Sequence, residues 1–144
     1  MKTTHKIAAA RAIYRIVRAG RTLIGRSDRD VVSRAGIAYD LDLSQGIDFA
    51  IFLGIYERQT RAALRRLVKR DALVLDIGAN IGAHTLTLAE LVGPAGRVLA
   101  FEPTDYAFTK LSRNLALNPE LARRVTARHC FLAGTDADPV PSAI

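Results

Sequence analysis

The chain has 144 residues, of which 49% are hydrophobic and 24% charged, and its formal net charge is +7. Domains usually contain roughly 100–200 residues, so this length holds one compact domain, and a mean hydropathy of +0.11 excludes a wholly disordered chain. The single cysteine, Cys130, excludes an intramolecular disulfide and a cysteine-built zinc site.

The net charge lies in the first 36 residues, which contain nine Lys/Arg and two Asp, whereas the remainder contains twelve of each sign. At helical spacing, four aliphatic residues share one face: Ile13, Ile16, Val17 and Ile24. The opposite face carries arginines: Arg11, Arg15 and Arg18. We favour a helix whose apolar face packs on its own domain. The alternative is a basic amphipathic helix that lies on an anionic membrane surface.

No stretch of the sequence resembles a membrane-spanning or secretory segment. Arginines interrupt every apolar run before the roughly 20 residues that a spanning helix needs. No continuous apolar core precedes a small-residue cleavage site, so we expect a cytoplasmic protein.

The middle of the chain begins with an alternating pattern. Residues 37–43 alternate apolar and polar side chains and predict a half-buried strand, with Asp40 and Asp42 on its solvent side. A short apolar piece follows at 47–56. A helix is predicted from Gln59 to Lys69, with Thr60 as its cap. Its predicted buried residues are Ala63, Leu64, Leu67 and Val68.

Strands and helices then alternate. The run Leu73-Val74-Leu75 is typical of a strand buried on both faces, and further strands are predicted at 97–101 and 125–132. The helices between them are predicted at 83–91 and 105–117, the second capped by Thr104. Its predicted inward-facing residues are Phe108, Leu111 and Leu115. This order is typical of an α/β fold, a parallel sheet with crossover helices. The tail from Gly134 shows neither a helical nor a strand periodicity.

Two acidic residues mark the ends of neighbouring predicted strands. Asp76 ends the first strand, and Glu102 ends the next, where a carboxylate can accept ribose hydroxyls. Gly78 and Gly82 permit a tight turn and the close approach of a ligand. A dinucleotide site would have Gly-x-Gly-x-x-Gly, but Asn80 stands at the third position. The spacing fits S-adenosylmethionine better, because that cofactor brings no pyrophosphate.

The segment VLDIGANIGAHTLTLAELVGPAGRVLAFEP resembles the first cofactor motif, crossover and second strand of FkbM-type methyltransferases. The upstream YDLDLSQGIDFAIFLGIYERQT and the downstream LSRNLALN are similar to further segments of that family. The resemblance covers about residues 37–133. It implies a class I methyltransferase fold, a Rossmann-like parallel sheet, and methyl transfer from S-adenosylmethionine to a hydroxyl of a sugar or secondary metabolite.

The resemblance also implies roles for particular residues. Four of them would line the methionine and ribose side of the cofactor: Asp76, Gly78, Asn80 and Gly82. Thr85 would bond the methionine carboxylate, Glu102 would hold the ribose hydroxyls, and Glu57, with Tyr56, would close over the amino-acid end. A base must remove the acceptor's proton, and the sequence identifies no residue for that role.

Several of these residues also have simpler interpretations. Glu57 is equally suited to capping the helix that follows, and Tyr56 is more typical of a core residue. We expect His84 to face solvent. His129 and Cys130 lie in a predicted strand and are expected to pack there, with no metal constellation around them.

We divide the chain into a basic segment (1–36), a strand-and-helix segment (37–70) and a partial methyltransferase domain (71–144). The class has seven strands, and only three follow the start of this domain, so we expect a truncated chain. The sheet would then have an uncovered flank and an unpaired edge.

The alternatives are a short chain completed by homodimerisation and an inactive binding or regulatory half-domain recruited through its basic helix. The expected partner is a small-molecule or glycan hydroxyl acceptor, with weak contact to an anionic membrane surface as the alternative noted above. We expect no nucleic-acid partner, because no reader motif is present.

Overall fold

A computed structural model describes residues 3–133, with side chains from residue 12 onward. The chain divides into two compact units, residues 1–56 and 57–144. The three predicted segments, 1–36, 37–70 and 71–144, stay a prediction. The tail from residue 134 and the side chain of Arg11 lie outside the described part of the chain.

The first unit contains two helices and a two-stranded antiparallel sheet. Its elements are α1 (Thr3–Leu23), β1 (Arg29–Arg34), β2 (Ile37–Asp42) and α2 (Gly46–Phe52). The predicted strand at 37–43 is confirmed by β2, which buries alternate side chains. β1 was not predicted, because its sequence RDVVSR lacks an alternating pattern. It forms by pairing with β2, with Arg29 opposite Asp42 and Arg34 opposite Ile37.

The packed face of α1 differs from the predicted one. Tyr14, Arg18 and Arg21 contact other residues of the unit, and Val17 beside them is half-buried. Ile13, Ile16 and Ile24, predicted to pack, are exposed. The expectation that the aliphatic face covers its own domain is therefore wrong for these three residues. No helix of the described residues is long and apolar enough to cross a bilayer.

The two aspartates of β2, predicted on its solvent side, are half-buried. The Asp42 carboxylate accepts hydrogen bonds from Ser44 and lies 3.4 Å from the Arg29 guanidinium. The bond from the Ser44 hydroxyl, with Arg29 nearby, lowers the pKa of Asp42, although partial burial opposes the shift. Asp42 therefore orders the turn after its strand.

The second unit is a three-stranded parallel sheet with helices. Its helices are α3 (Arg58–Leu67), α4 (Ala83–Val92), α5 (Asp105–Ala116) and α6 (Pro119–Ala122). Its strands are β3 (Leu73–Ile77), β4 (Arg97–Phe101) and β5 (Val125–Arg128), in the order β3-β4-β5. The predicted alternation of parallel strands and crossover helices is confirmed.

One face of the sheet carries the core of this unit. Leu88, Ala89 and Val92 of α4 pack with Val98 of β4. On α5, Leu111 packs against Ala79 and Ala100, with Phe108 and Leu115 partly buried beside it. The inward face predicted for α5 is therefore confirmed.

The other face of the sheet is bare among the described residues. Leu73, Leu75 and Ile77 of β3 are each more than half exposed, so the prediction of a strand buried on both faces is wrong. The reason is that successive side chains of a strand point to opposite faces, and the described helices cover only one of them. Among the described residues, this exposed face of the sheet agrees with the uncovered flank predicted from the sequence.

Smaller corrections concern the ends of elements. Thr60, predicted as the cap of this helix, lies within α3. Leu67, predicted to be buried, is 74% exposed. The residues that pack against the core from this segment are Leu64 of α3 and the following Val68. Ala63 is also exposed. β5 ends at Arg128, so the exposed His129 and Cys130 lie outside the strand in which they were predicted to pack.

Candidate functional site

The turn between β3 and α4 lies at the carboxyl end of the sheet. Gly78, Asn80 and Gly82 all have positive φ angles, of 78°, 49° and 87°. Glycine adopts this region without strain, and asparagine tolerates it better than most residues. The backbone N–H groups of Gly78 and Ala79 both donate to the Phe101 carbonyl at 2.9 Å, which ties the turn to the end of β4. The sequence forms a rigid loop here.

The space around the two glycines differs. A Cβ on Gly78 would meet no atom within 4 Å, whereas a Cβ on Gly82 would lie 2.6 Å from Leu111 Cδ1. Gly82 is therefore required for close packing of the loop on α5. Gly78 is exposed and leaves open space where a ligand can approach the backbone.

Asp76 and Thr85 form a hydrogen-bonded pair across the turn. The Thr85 hydroxyl donates to Asp76 Oδ2 at 2.6 Å, and Thr85 is fully buried while Asp76 is half-buried. Thr85 thus fixes the orientation of the Asp76 carboxylate at the strand end. Its predicted contact with a methionine carboxylate stays a prediction.

Glu102 lies just after β4 and is only 5% exposed. Its Oε2 accepts the Asn80 N–H at 2.8 Å, and its Oε1 accepts the Thr104 N–H at 2.9 Å and the Thr104 hydroxyl at 2.6 Å. Burial raises the pKa of this carboxyl, but the bonds from Thr104 and Asn80 outweigh burial and hold the pKa below its ordinary value of 4.5. Glu102 is therefore a buried anion that anchors the loop.

A carboxylate offers about four acceptor positions, and three of those of Glu102 are used within the chain. One position is left for a donor group of a ligand, such as a hydroxyl. A second ligand hydroxyl must displace the Thr104 hydroxyl, because that group can rotate away and the two backbone N–H groups cannot.

Glu57 and His84 form another polar pair in this unit. The Glu57 Oε2 and His84 Nε2 atoms lie 2.8 Å apart, and the pair joins the start of α3 to the first turn of α4. Glu57 precedes α3 with a left-handed φ of 37° and makes no side-chain cap. His84 is half-buried, so the prediction that it faces solvent is wrong. Tyr56 belongs to the first unit, where its N–H donates to the Ala50 carbonyl.

The contacts of two residues at this site were not predicted. Thr104 occupies the predicted N-cap position of α5, but its hydroxyl donates to Glu102 and does not cap the helix. Asn114 is fully buried in α5, and its Nδ2 donates to the Ile81 carbonyl at 2.8 Å. A polar residue on the apolar face of a predicted helix was the only available signal for Asn114.

The third strand end carries His129. Its ring stacks on Phe108 with centroids 4.7 Å apart, and its Nε2 lies 3.0 Å from the Pro103 carbonyl oxygen and 3.3 Å from Asp105 Oδ1. Among the described residues, no three His, Cys, Asp or Glu side chains are grouped as metal ligands. The site is thus an arrangement of carboxylates, hydroxyls and open backbone.

Comparisons with known proteins support a methyltransferase fold. No protein-family profile matches the chain. The Pyrococcus horikoshii TYW2, crystallised with MeSAdo, aligns with 82% of this chain and 47% of its own, at 25% identity and a TM-score of 0.59. The M. jannaschii TYW2, crystallised with AdoMet, aligns with 73% of this chain and 44% of its own, at 20% identity and a TM-score of 0.56. The chain has a class I methyltransferase fold.

A curated relative shares part of the sequence. The methyltransferase sdnD of Sordaria araneosa is 42% identical over 65 residues, which are 45% of this chain and 24% of that protein. The chain therefore spans about a quarter of the curated relative that it matches and about half of the structural neighbours.

Proposed function

We propose that this chain binds S-adenosylmethionine and belongs to an FkbM-type methyltransferase that methylates a hydroxyl of a sugar or secondary metabolite. The observation that carries the proposal is the pair of oriented carboxylates, Asp76 and Glu102, at the ends of adjacent parallel strands with the open backbone of Gly78 in the turn between them. The similarity to a curated methyltransferase and to a neighbour crystallised with MeSAdo supports it.

The residues present fit this cofactor. Glu102 stays ionised because its pKa is lowered, and it keeps one acceptor position for a ribose hydroxyl. Asp76, oriented by Thr85, faces the amino-acid end, and the open space over Gly78 admits the cofactor to the backbone. Asn80 shapes the loop, since its side chain accepts the N–H of Ile81.

S-adenosylmethionine supplies a methyl group already activated by the sulfonium, so the protein's main task is to align acceptor, carbon and sulfur. The rigid loop serves that task by fixing the donor. Glu57, held by His84 at the first turn of α4, is proposed to close over the amino-acid end. We assign no general base.

Calorimetric titration of the 144-residue chain with S-adenosylhomocysteine tests the proposal. We expect saturable binding that Asp76→Asn weakens by at least tenfold, because the exchange removes a negative charge at the amino-acid end and leaves the shape unchanged. Glu90→Gln, an exposed residue of α4, is the matched control and should bind like the unmodified chain. A folded chain that releases no binding heat, or an unchanged affinity for Asp76→Asn, would contradict the proposal.

A further inference from the structure

Helix α1 is held to its own unit by one narrow face. The Tyr14 hydroxyl donates to Asp28 Oδ2 at 2.8 Å, and the Tyr14 ring meets Phe49 edge-on with centroids 5.5 Å apart. Arg21 is buried and donates to the Ser27 carbonyl and to Asp30 Oδ2 at 2.8 and 2.9 Å. These contacts fix which side of α1 remains outside the packing of the first unit.

The aliphatic residues of α1 lie on that remaining side. Ile16 and Leu23 are 72% and 87% exposed, and Ile13 and the following Ile24 are also exposed. At 100° per residue, Ile13, Ile16 and Leu23 fall within an arc of about 80°. We call these four residues the aliphatic stripe. An exposed apolar group of this size on one helix is typical of an interaction surface.

Positive charge lies beside the aliphatic stripe. Arg15 and Arg18 are exposed, and the Arg18 Nε lies 3.4 Å from Asp28 Oδ2. A groove along α1 is lined by Tyr14, Arg15, Arg18, Ala19, Thr22 and Leu23. No acidic residue precedes Asp28 in the sequence, and residues 1–36 carry a net charge of +7. At 100° per residue, Arg15 lies about 80° from Leu23 around the helix, so a cation borders the aliphatic stripe on one side.

We propose that the aliphatic stripe and the neighbouring Arg15, within the basic first 36 residues, bind the surface of an anionic lipid bilayer, with α1 lying parallel to it. Exposed aliphatic side chains gain by entering the acyl boundary, while Arg15 reaches the phosphates with its long side chain. A nucleic acid would engage the arginines but offers no place to bury Ile16 and Leu23. Tyr14, the aromatic residue of this part of α1, is engaged with Phe49 and Asp28, and a lone aromatic side chain is a poor platform for stacking successive bases.

Co-sedimentation of the full 144-residue chain with vesicles tests this. We expect binding to vesicles with about 30 mol% phosphatidylserine, at least tenfold weaker binding to pure phosphatidylcholine, and loss of affinity in high salt, because lipid charge attracts basic segments over about one Debye length. Ile16→Ser combined with Leu23→Ser should weaken binding at least tenfold. Arg15→Gln should weaken it about fivefold.

Leu67→Ser is the matched control, since Leu67 is equally exposed but lies on α3 in the other unit, and it should bind normally. Far-UV circular dichroism should be unchanged in all variants, because every replaced side chain is exposed. No binding to anionic vesicles would overturn the proposal. It would also be overturned if the double serine variant bound normally while a duplex RNA competed, because that result identifies a nucleic-acid surface. Cofactor titration is separate from this assay, so failure here leaves the proposed function intact.

Discussion

Replacement of Glu102 by alanine should destabilise the second unit, because this carboxylate anchors the loop that forms the candidate site. The side chain is buried and accepts the N–H groups of Asn80 and Thr104 as well as the Thr104 hydroxyl. A buried donor left without an acceptor costs about 1–3 kcal/mol. The hydroxyl can rotate to a new partner, and removal of a buried charge returns its desolvation cost. The unpaired backbone N–H groups of Asn80 and Thr104 therefore dominate, and we expect the free energy of unfolding to fall by about 2–4 kcal/mol.

Urea unfolding followed by far-UV circular dichroism measures this loss. Glu102→Gln should lose about half as much unfolding free energy as Glu102→Ala. The glutamine side chain keeps one acceptor oxygen, but its NH₂ group faces a donor where the second carboxylate oxygen accepted a hydrogen bond. The matched control is Glu120→Gln, an exposed residue of α6 paired with Arg123, which should change stability by less than about 0.5 kcal/mol. A loss below about 0.5 kcal/mol for Glu102→Ala would refute the anchoring role.

The same anchoring makes stability depend on pH. The folded pKa of Glu102 is lower than its ordinary value of 4.5 because the bonds from Thr104 and Asn80 outweigh burial. A depressed carboxyl pKa contributes stability above the unfolded pKa, and that contribution disappears as the pH falls through the folded pKa. Urea midpoints should therefore decline below pH 4.5, and less so in Glu102→Gln. Parallel declines in both proteins would contradict this assignment.

Two further predictions concern the loop and the carboxylate beside it. Gly82→Ala should cost about 1–3 kcal/mol, because the new Cβ meets Leu111 at a positive φ. Gly78 has a similar φ but open space around it, so Gly78→Ala should cost only the backbone strain, about 1 kcal/mol. Equal urea midpoints for the Gly82→Ala and Gly78→Ala variants would refute the packing argument. Thr85→Val should lower the affinity for S-adenosylhomocysteine several-fold, because Asp76 loses its orienting hydroxyl. Calorimetry checks this, and unchanged affinity would assign Thr85 to packing alone.

Local patterns predicted the elements that carry their own periodicity. The strands at Leu73–Ile77 and Arg97–Phe101 and the helices between and after them were found, because apolar spacing and flanking glycine or proline mark them. β1 was missed because it depends on pairing with β2, which is a tertiary effect. Periodicity also failed for Leu75 and Leu67, since it identifies an apolar face without revealing whether another layer covers it.

The residues of the candidate site also separate into those that local sequence patterns predicted and those that depend on tertiary contacts. Asp76, Glu102 and the glycines were predicted from their places at strand ends, where parallel sheets bind ligands. The partner of Glu102 on the loop, the Asn80 N–H, is a backbone group whose direction depends on a left-handed turn. Asn114 reaches Ile81 across 33 positions of sequence, and no local signal encodes such a contact.

The bonds that shape the loop come from the covered side and the carboxyl end of the sheet. Phe101 accepts two loop N–H groups, Glu102 accepts a third, and Asn114 donates to the Ile81 carbonyl. None of these bonds involves the bare face that carries Leu75. The loop is therefore held by bonds among the described residues of the second unit, and we expect binding of S-adenosylhomocysteine to be insensitive to whatever covers that face. We therefore expect donor binding to be measurable on this chain separately from methyl transfer.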